Sequence, residues 1–185
     1  MKNLKAASRY AKSLLDLSIE RGQLDRVYED MQFIANQVVN NREVGVMIKS
    51  PVIKSDAKMR VLHSVFGGNI GELVLAFVRI IADKGRESLL PEIAEEFIRQ
   101  VKAHKNILSV IIISAVPLEK EAKERIVMEL GREHKGAIEI QEKTDPAVIG
   151  GFILRIGDKQ IDSSVAGHFR AMRKEFRNNP YERQL

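Results

Sequence analysis

The hydrophobic period of this chain changes once, at Ile107, and that change restricts the fold more than any other feature. From Leu4 to Lys105 the apolar residues recur at helical spacing. From Ile107 to Ser114 they form a β-branched run, ILSVIIIS, of strand length. Neither period can serve both segments, so the pattern predicts two domains of different class, 1–105 and 106–185.

The first segment reads as six helices. Leu4, Ala7, Ala11, Leu14, Leu15 and Ser18 share a helical face, and Gly22 ends it. Leu24, Val27, Tyr28, Met31, Ile34, Ala35 and Val38 give the cleanest amphipathic stripe, broken at Asn40-Asn41. A short helix follows to Ile48, and Ser50-Pro51 makes a turn because proline drives its predecessor out of the helical region. Ser55 is the expected N-cap of a helix through Val65, stopped by Gly67-Gly68. A fifth helix is expected over 70–84 with Gly85 after it, and a sixth from about Ser88–Pro91 to Lys105.

Beyond the strand at 107–114, Pro117 precedes a charged helix over 118–133 with one narrow stripe, Ala122, Ile126 and Leu130. Strands are expected at 137–142, 152–156 and 159–162, the last two joined by a tight turn at Gly157-Asp158. A final helix begins after the capping residues Asp162-Ser163, with Val165, Phe169, Met172 and Phe176 on one side. The expected class is α+β: an all-α six-helix bundle followed by a small mixed α/β domain. The tail 177–185 (RNNPYERQL) reads as polar and frayed around Pro180.

The residue inventory argues against chemistry. The chain has no Cys, which removes disulfides, thiolate metal sites and cysteine nucleophiles. His63, His104, His134 and His168 are isolated, none with a partner at i+3 or i+4, so no metal site is expected. No Gly-x-Ser-x-Gly elbow is present, and turn and cap roles account for Asp158 and Asp162 without catalysis. Gly150-Gly151 lacks the Lys-Ser/Thr of a P-loop and leads into a strand rather than a helix. Gly68 and Gly71 form a Gly-x-x-Gly inside helical sequence with no basic residue between them. No cofactor is expected.

The formal charge is +5, with a sequence pI near 9.5. It is spread out: residues 1–105 carry 17 Lys/Arg against 13 Asp/Glu, and residues 106–185 carry 13 against 12. A protein that grips a phosphate backbone gathers its charge on one stripe and interleaves aromatic residues with it. Neither is evident, although a basic RNA-binding adaptor remains the rival reading. The longest uncharged run, 106–118, is too short to span a bilayer. With no signal or transit pattern at the start, a cytoplasmic chain is expected.

What is left over is apolar surface. The fifth helix is hydrophobic nearly all round, interrupted only by Gly71, Glu72 and Arg79. The first helix has a second stripe beside its core face, Ala6, Tyr10, Ser13 and Leu17. Either both stripes are satisfied inside the bundle, or they form a groove that receives a partner helix.

The segment from Ile138 to Val165 resembles the signature of the F-type ATP synthase delta subunits, bacterial relatives of the mitochondrial oligomycin-sensitivity-conferring protein. The match consists of Ile138 and Ile140, Thr144-Asp145, Val148, Gly150-Gly151 before a strand, and Ile161-Asp162-Ser163-Ser164-Val165. Tyr10-Ala11-Lys12, Ser50-Pro51 with Lys58, and Gly85-Arg86 ahead of Leu90-Pro91 extend the resemblance along the chain. Thr144 departs from the aliphatic residue that many members carry. Arg170–Phe176 (RAMRKEF) is more basic than the family's last helix usually is.

The resemblance implies a non-catalytic stator subunit with no active site, peripheral on the cytoplasmic face of a bacterial inner membrane and attached only through its complex. It implies that the bundle receives an N-terminal helix of an alpha subunit in a groove of the first and fifth helices. Tyr10, Ser13, Leu17, Phe77 and Ile80 are the residues expected there. The C-terminal domain would hold the b subunits of the peripheral stalk, with Val165, Phe169 and Met172 on the stalk side. Gly150, Gly151 and Asp162 are expected to support the C-terminal sheet.

Overall fold

Helix α1 (Lys2–Glu20) sets the pattern for the first half of the molecule. Its Ala7, Ala11 and Leu14, spaced i, i+4, i+7, are fully buried, and two alanines in that row let another helix approach closely. α2 (Leu24–Asn40) buries Val27, Met31 and Ile34 with the same spacing. α3 (Arg42–Lys49), α4 (Ser55–Phe66) and α5 (Glu72–Asp83) follow, and a 3-10 turn (Glu87–Leu89) leads into α6 (Leu90–His104). The computed structural model describes residues 2–50, 52–157 and 159–178. The chain divides into two compact units, 1–104 and 105–185.

The centre of the first unit is α6. Leu90, Ile93, Ala94, Phe97 and Val101 are each fully buried, and α6 packs against both α1 and α2. Polar bonds register the α1 contact: Ser8 Oγ donates to Glu96 Oε1 at 3.0 Å, and Gln100 Nε2 donates to the Ser8 carbonyl at 3.1 Å.

Two further polar devices hold helix ends. Gly71 is the N-cap of α5 and has no side chain to offer. The buried Asp30 of α2 supplies the acceptor instead, its Oδ2 taking the Gly71 N–H at 2.8 Å. Lys58 of α4, almost fully buried, donates through Nζ to the Ile48 carbonyl at 3.0 Å and to Glu87 Oε1 at 2.8 Å. One ammonium therefore ties the end of α3 to the 3-10 turn.

Local boundaries differ from the sequence reading in instructive ways. Lys54, not Ser55, is the residue before α4, so Ser55 is already helical. α5 begins two residues later than the apolar run does, because Ile70 turns into the core while Gly71 takes the cap. Pro51 and Asp158, named for the turns at 50–51 and 157–158, and residues 179–185 of the tail lie outside the described residues.

In the second unit, β1 (Leu108–Ser114) leads through α7 (Lys120–Glu133) to β2 (Ile138–Thr144), then β3 (Phe152–Ile156), β4 (Lys159–Asp162) and α8 (Val165–Asn178). The sheet order is β2-β1-β3-β4, with β1 and β2 parallel and the remaining pairs antiparallel. A parallel pair requires a crossover, and α7 provides it. In the antiparallel β3–β4 pair, Ile156 stands opposite Lys159. Val110, Ile112 and Leu154 pack with Ile126 of α7, and Lys123 Nζ of that helix meets Glu142 Oε1 of β2 at 2.7 Å. Leu118 precedes α7 rather than starting it and packs on the same core.

The last helix corrects the cap assignment. Ser164, one residue after the expected Ser163, is the N-cap: its Oγ accepts the Gly167 N–H at 2.9 Å. Asp162 Oδ1 in turn accepts both the N–H (3.0 Å) and the hydroxyl (2.6 Å) of Ser164.

Candidate partner-binding surfaces

The residues with chemical potential are dispersed. His63 and His104 are exposed, His134 Nε2 lies 3.1 Å from the Asn106 carbonyl, and His168 Nδ1 lies 3.1 Å from the Ser164 carbonyl of its own helix. Among the described residues no three His, Asp or Glu side chains gather as a metal-binding group.

On the first unit, α5 is only half covered. Val74, Val78, Ile81 and Ala82 face the core, Leu73 and Phe77 are half-buried, and Ala76 and Ile80 are exposed, Ile80 by 53%. Leu73, Ala76, Phe77 and Ile80 stand at i, i+3, i+4, i+7, a second apolar face on the same helix. The all-round hydrophobicity of α5 thus serves two surfaces, one of them only partly covered, with Ala76 and Ile80 left exposed.

α1 borders that face through Tyr10. Its ring meets Phe77 edge-to-face, with centroids 6.5 Å apart and an interplanar angle of 72°. Arg86 also lies over the ring: its guanidinium carbon is 5.7 Å from the Tyr10 centroid, and Nη1 donates to the Tyr10 hydroxyl at 2.8 Å. Leu17 is half-buried, and Ser13 is exposed with its hydroxyl donating to the Arg9 carbonyl one turn back. The structure therefore joins Tyr10 and Phe77 directly and leaves Ile80 open one turn beyond. Among the described residues, the hydrogen bond of the Ser13 hydroxyl stays within its own helix.

Arg86 is the residue that composition and periodicity could not assign to this surface. The Gly85-Arg86 dipeptide was visible, but the turn that swings Arg86 over Tyr10, 76 residues away, is a tertiary event.

On the second unit, the signature residues converge on the start of α8. Gly150 and Gly151 adopt φ of +64° and +72°, the left-handed region that penalises a side chain. A Cβ on Gly151 would stand 2.3 Å from the Ser163 carbonyl oxygen, and one on Gly150 would stand 2.9 Å from Val165 Cγ2. The 150–151 turn packs backbone-to-backbone against the 163–165 segment, and Ser163 N–H donates to the Phe152 carbonyl at 3.0 Å. Asp162 is held below the ordinary carboxylate range by the Ser164 hydroxyl, then by the Ser164 amide and Arg170. The arrangement fixes where α8 leaves the sheet.

α8 itself exposes its apolar side. Val165 is 47% exposed, Phe169 65%, Met172 49% and Phe176 76%. The sheet does not receive that stripe. A shallow, open hollow lies along it, lined by Ala166, Phe169, Arg170, Met172, Arg173 and Phe176.

Comparison with known proteins places these surfaces in context. Residues 6–176 match the family described as ATP synthase delta (OSCP) subunit. The chain is similar to ATP synthase subunit delta of Cytophaga hutchinsonii, 32% identical over 95% of this chain and 96% of the other. It is 33% identical to ATP synthase subunit delta of Christiangramia forsetii, over 98% of each chain. In fold it resembles a chain of the Toxoplasma gondii mitochondrial ATP synthase hexamer, with a TM-score of 0.76, 16% identity, and coverage of 92% of this chain and 96% of that one.

Proposed function

The chain belongs to the ATP synthase delta (OSCP) subunit family, and on that premise we propose that each of its two units supplies one partner surface in an F-type ATP synthase. As a delta subunit it is a non-catalytic component of the peripheral stalk. The first unit, read as a six-helix bundle, caps the catalytic head by receiving an N-terminal helix of an alpha subunit along α1 and α5. The second holds the b subunits through α8. The head is thereby tied to the stalk and resists rotor torque during ATP synthesis. The complex keeps the chain on the cytoplasmic face of a bacterial membrane. No helix of the described residues is long and apolar enough to cross one.

One observation carries the reading beyond family membership: each unit leaves an apolar helical face wholly or partly exposed. Torque favours such contacts, because a buried helix-in-groove interface fails as a whole, whereas exposed ion pairs each hold little. Tyr10, Leu17, Phe77 and Ile80 form the head-side surface, with Ser13 as a small neighbour that lets a helix approach. Val165, Phe169 and Met172 form the stalk side.

Isothermal titration with a peptide from the alpha N-terminus tests the head-side surface. Ile80→Asp removes about 1.5–3 kcal/mol of apolar burial and adds a charge, so affinity should fall by at least about tenfold. A folded Ile80→Asp variant that binds as tightly as wild type sinks the assignment.

A further inference from the structure

Three stripes run side by side along α8, and their chemistry differs. Val165, Phe169, Met172 and Phe176 make the apolar one. One residue further round, Arg170, Arg173 and Lys174 make a basic one at i, i+3, i+4, all exposed. On the opposite flank, at i, i+3, i+7, stand His168, Ala171 and Glu175, with no Lys or Arg. The helix is basic along one edge only.

Within the described residues, Asp162 engages Arg170, while Arg173 and Lys174 have no carboxylate partner. The hollow on α8 lies on the seam between the apolar and basic stripes, with the small Ala166 in its lining. The seam is thus the place where a second helix can come closest, and the edge it would meet there is cationic.

We propose that the α8 surface selects an amphipathic helix carrying acidic residues along one edge, with Arg173, which lines the seam, as the residue that sets its direction and register. This deepens the stalk-side assignment above and rests on it. An apolar seam flanked by charge is how paired helices fix their alignment: the seam supplies affinity and the edge rejects the reversed or shifted pairing. An anionic membrane is the other surface that a basic amphipathic helix can meet. A helix lying in the headgroup plane benefits from cations on both flanks, and here Glu175 would be pressed against like charge. The asymmetry therefore favours a helix of a partner protein.

The test uses the full chain and the soluble segment of the b subunit from the same organism, with association followed at low and moderate salt. Arg173→Glu should weaken binding by about threefold to tenfold at low salt, mostly by slowing association, and should flatten the salt dependence. Glu175→Arg should change the affinity by less than about twofold. If both substitutions cost the same, or if Arg173→Glu binds like wild type while Phe169→Ser loses binding, the charged-edge inference is overturned and the stalk-side reading stands. If wild type does not bind the b segment at all, the stalk-side reading itself fails. Vesicles of anionic phospholipid that bind the chain and displace the b segment overturn the inference in favour of a lipid surface. All three substituted residues are exposed, and circular dichroism verifies that each variant folds.

Discussion

The two units spend their apolar residues differently. In the first, a single cluster runs from Ala7 to Val101 and draws on every helix; in the second, among the described residues, only Val110, Ile112, Ile126 and Leu154 are buried together, ringed by half-buried neighbours. A small domain has too little interior to bury much of its surface, and its stability is correspondingly thin. The second unit makes this worse by leaving α8 outside its core. The difference teaches that exposed apolar residues mean different things in the two places. On α5 the exposed face is the back of a helix whose front is already anchored. On α8 the exposed face is the helix's entire apolar investment.

The largest expected effect tests that contrast at its strong end. Phe97 is fully buried at the centre of α6, and Phe97→Ala should cost about 3–5 kcal/mol by lost transfer energy and a cavity. Denaturant unfolding followed by amide exchange in α1 and α6 measures it. Phe176→Ser is the counterpart at the weak end. With 76% of Phe176 exposed, the substitution should leave amide protection in β1 and β3 unchanged. A loss of sheet protection in that variant would break the comparison, because α8 would then be part of the core.

A middling effect is expected from backbone chemistry. Gly22 and Gly151 have φ of +63° and +72°, but only Gly151 is crowded. Gly22→Ala should cost about 1 kcal/mol for the left-handed conformation alone. Gly151→Ala must also push a Cβ into the Ser163 carbonyl, so a loss of about 3 kcal/mol or more is expected, enough to unseat the start of α8. Thermal melts of the two variants should differ clearly. Equal shifts would mean that the 150–163 contact relaxes freely.

The helices of the first unit and the strands of the second were legible because burial imposes a period on the sequence. Val27, Met31 and Ile34 announce one face, and ILSVIIIS announces a strand whose side bearing Val110, Ile112 and Ser114 is buried. Gly150 and Gly151 were likewise readable, since a positive φ is a local demand, whereas Asp162, expected as a cap, instead holds the Ser164 cap. The long-range polar devices were not. Nothing in the sequence near Asp30 says that it holds the N-cap of a helix 41 residues later, and Lys58 looks like one surface lysine among many until Glu87 folds against it. Ser163 and Ser164 both carry a hydroxyl, and only the start of the helical dihedrals decides which one caps. Arg86 joined the Tyr10–Phe77 pair for the same reason: its role depends on a turn, not on its neighbours in sequence.

The smallest effects expected are electrostatic, one in each unit. Glu96 accepts from Arg99 Nε and Nη2 (2.9 and 2.7 Å), from Gln100 Nε2 and from Ser8 Oγ. These bonds, Arg99 foremost, outweigh the opposing effect of burial and lower its pKa to about 2. The folded form thus holds the Glu96 proton more weakly than the unfolded chain does. As pH falls below the ordinary carboxylate value, the unfolded state takes up the proton first and stability declines. The contribution is whole above about pH 5 and gone once pH passes below about 2. Unfolding curves of wild type and Glu96→Gln between those limits should therefore converge as pH drops. Asp162 is shifted in the same direction but sits in a more solvated setting at the α8 cap, so Asp162→Asn should show the same convergence with a smaller amplitude. If the Glu96 difference stays constant with pH, its bonds to α1 and Arg99 serve the neutral acid as well as the anion, and the first unit's polar register is not charge-dependent.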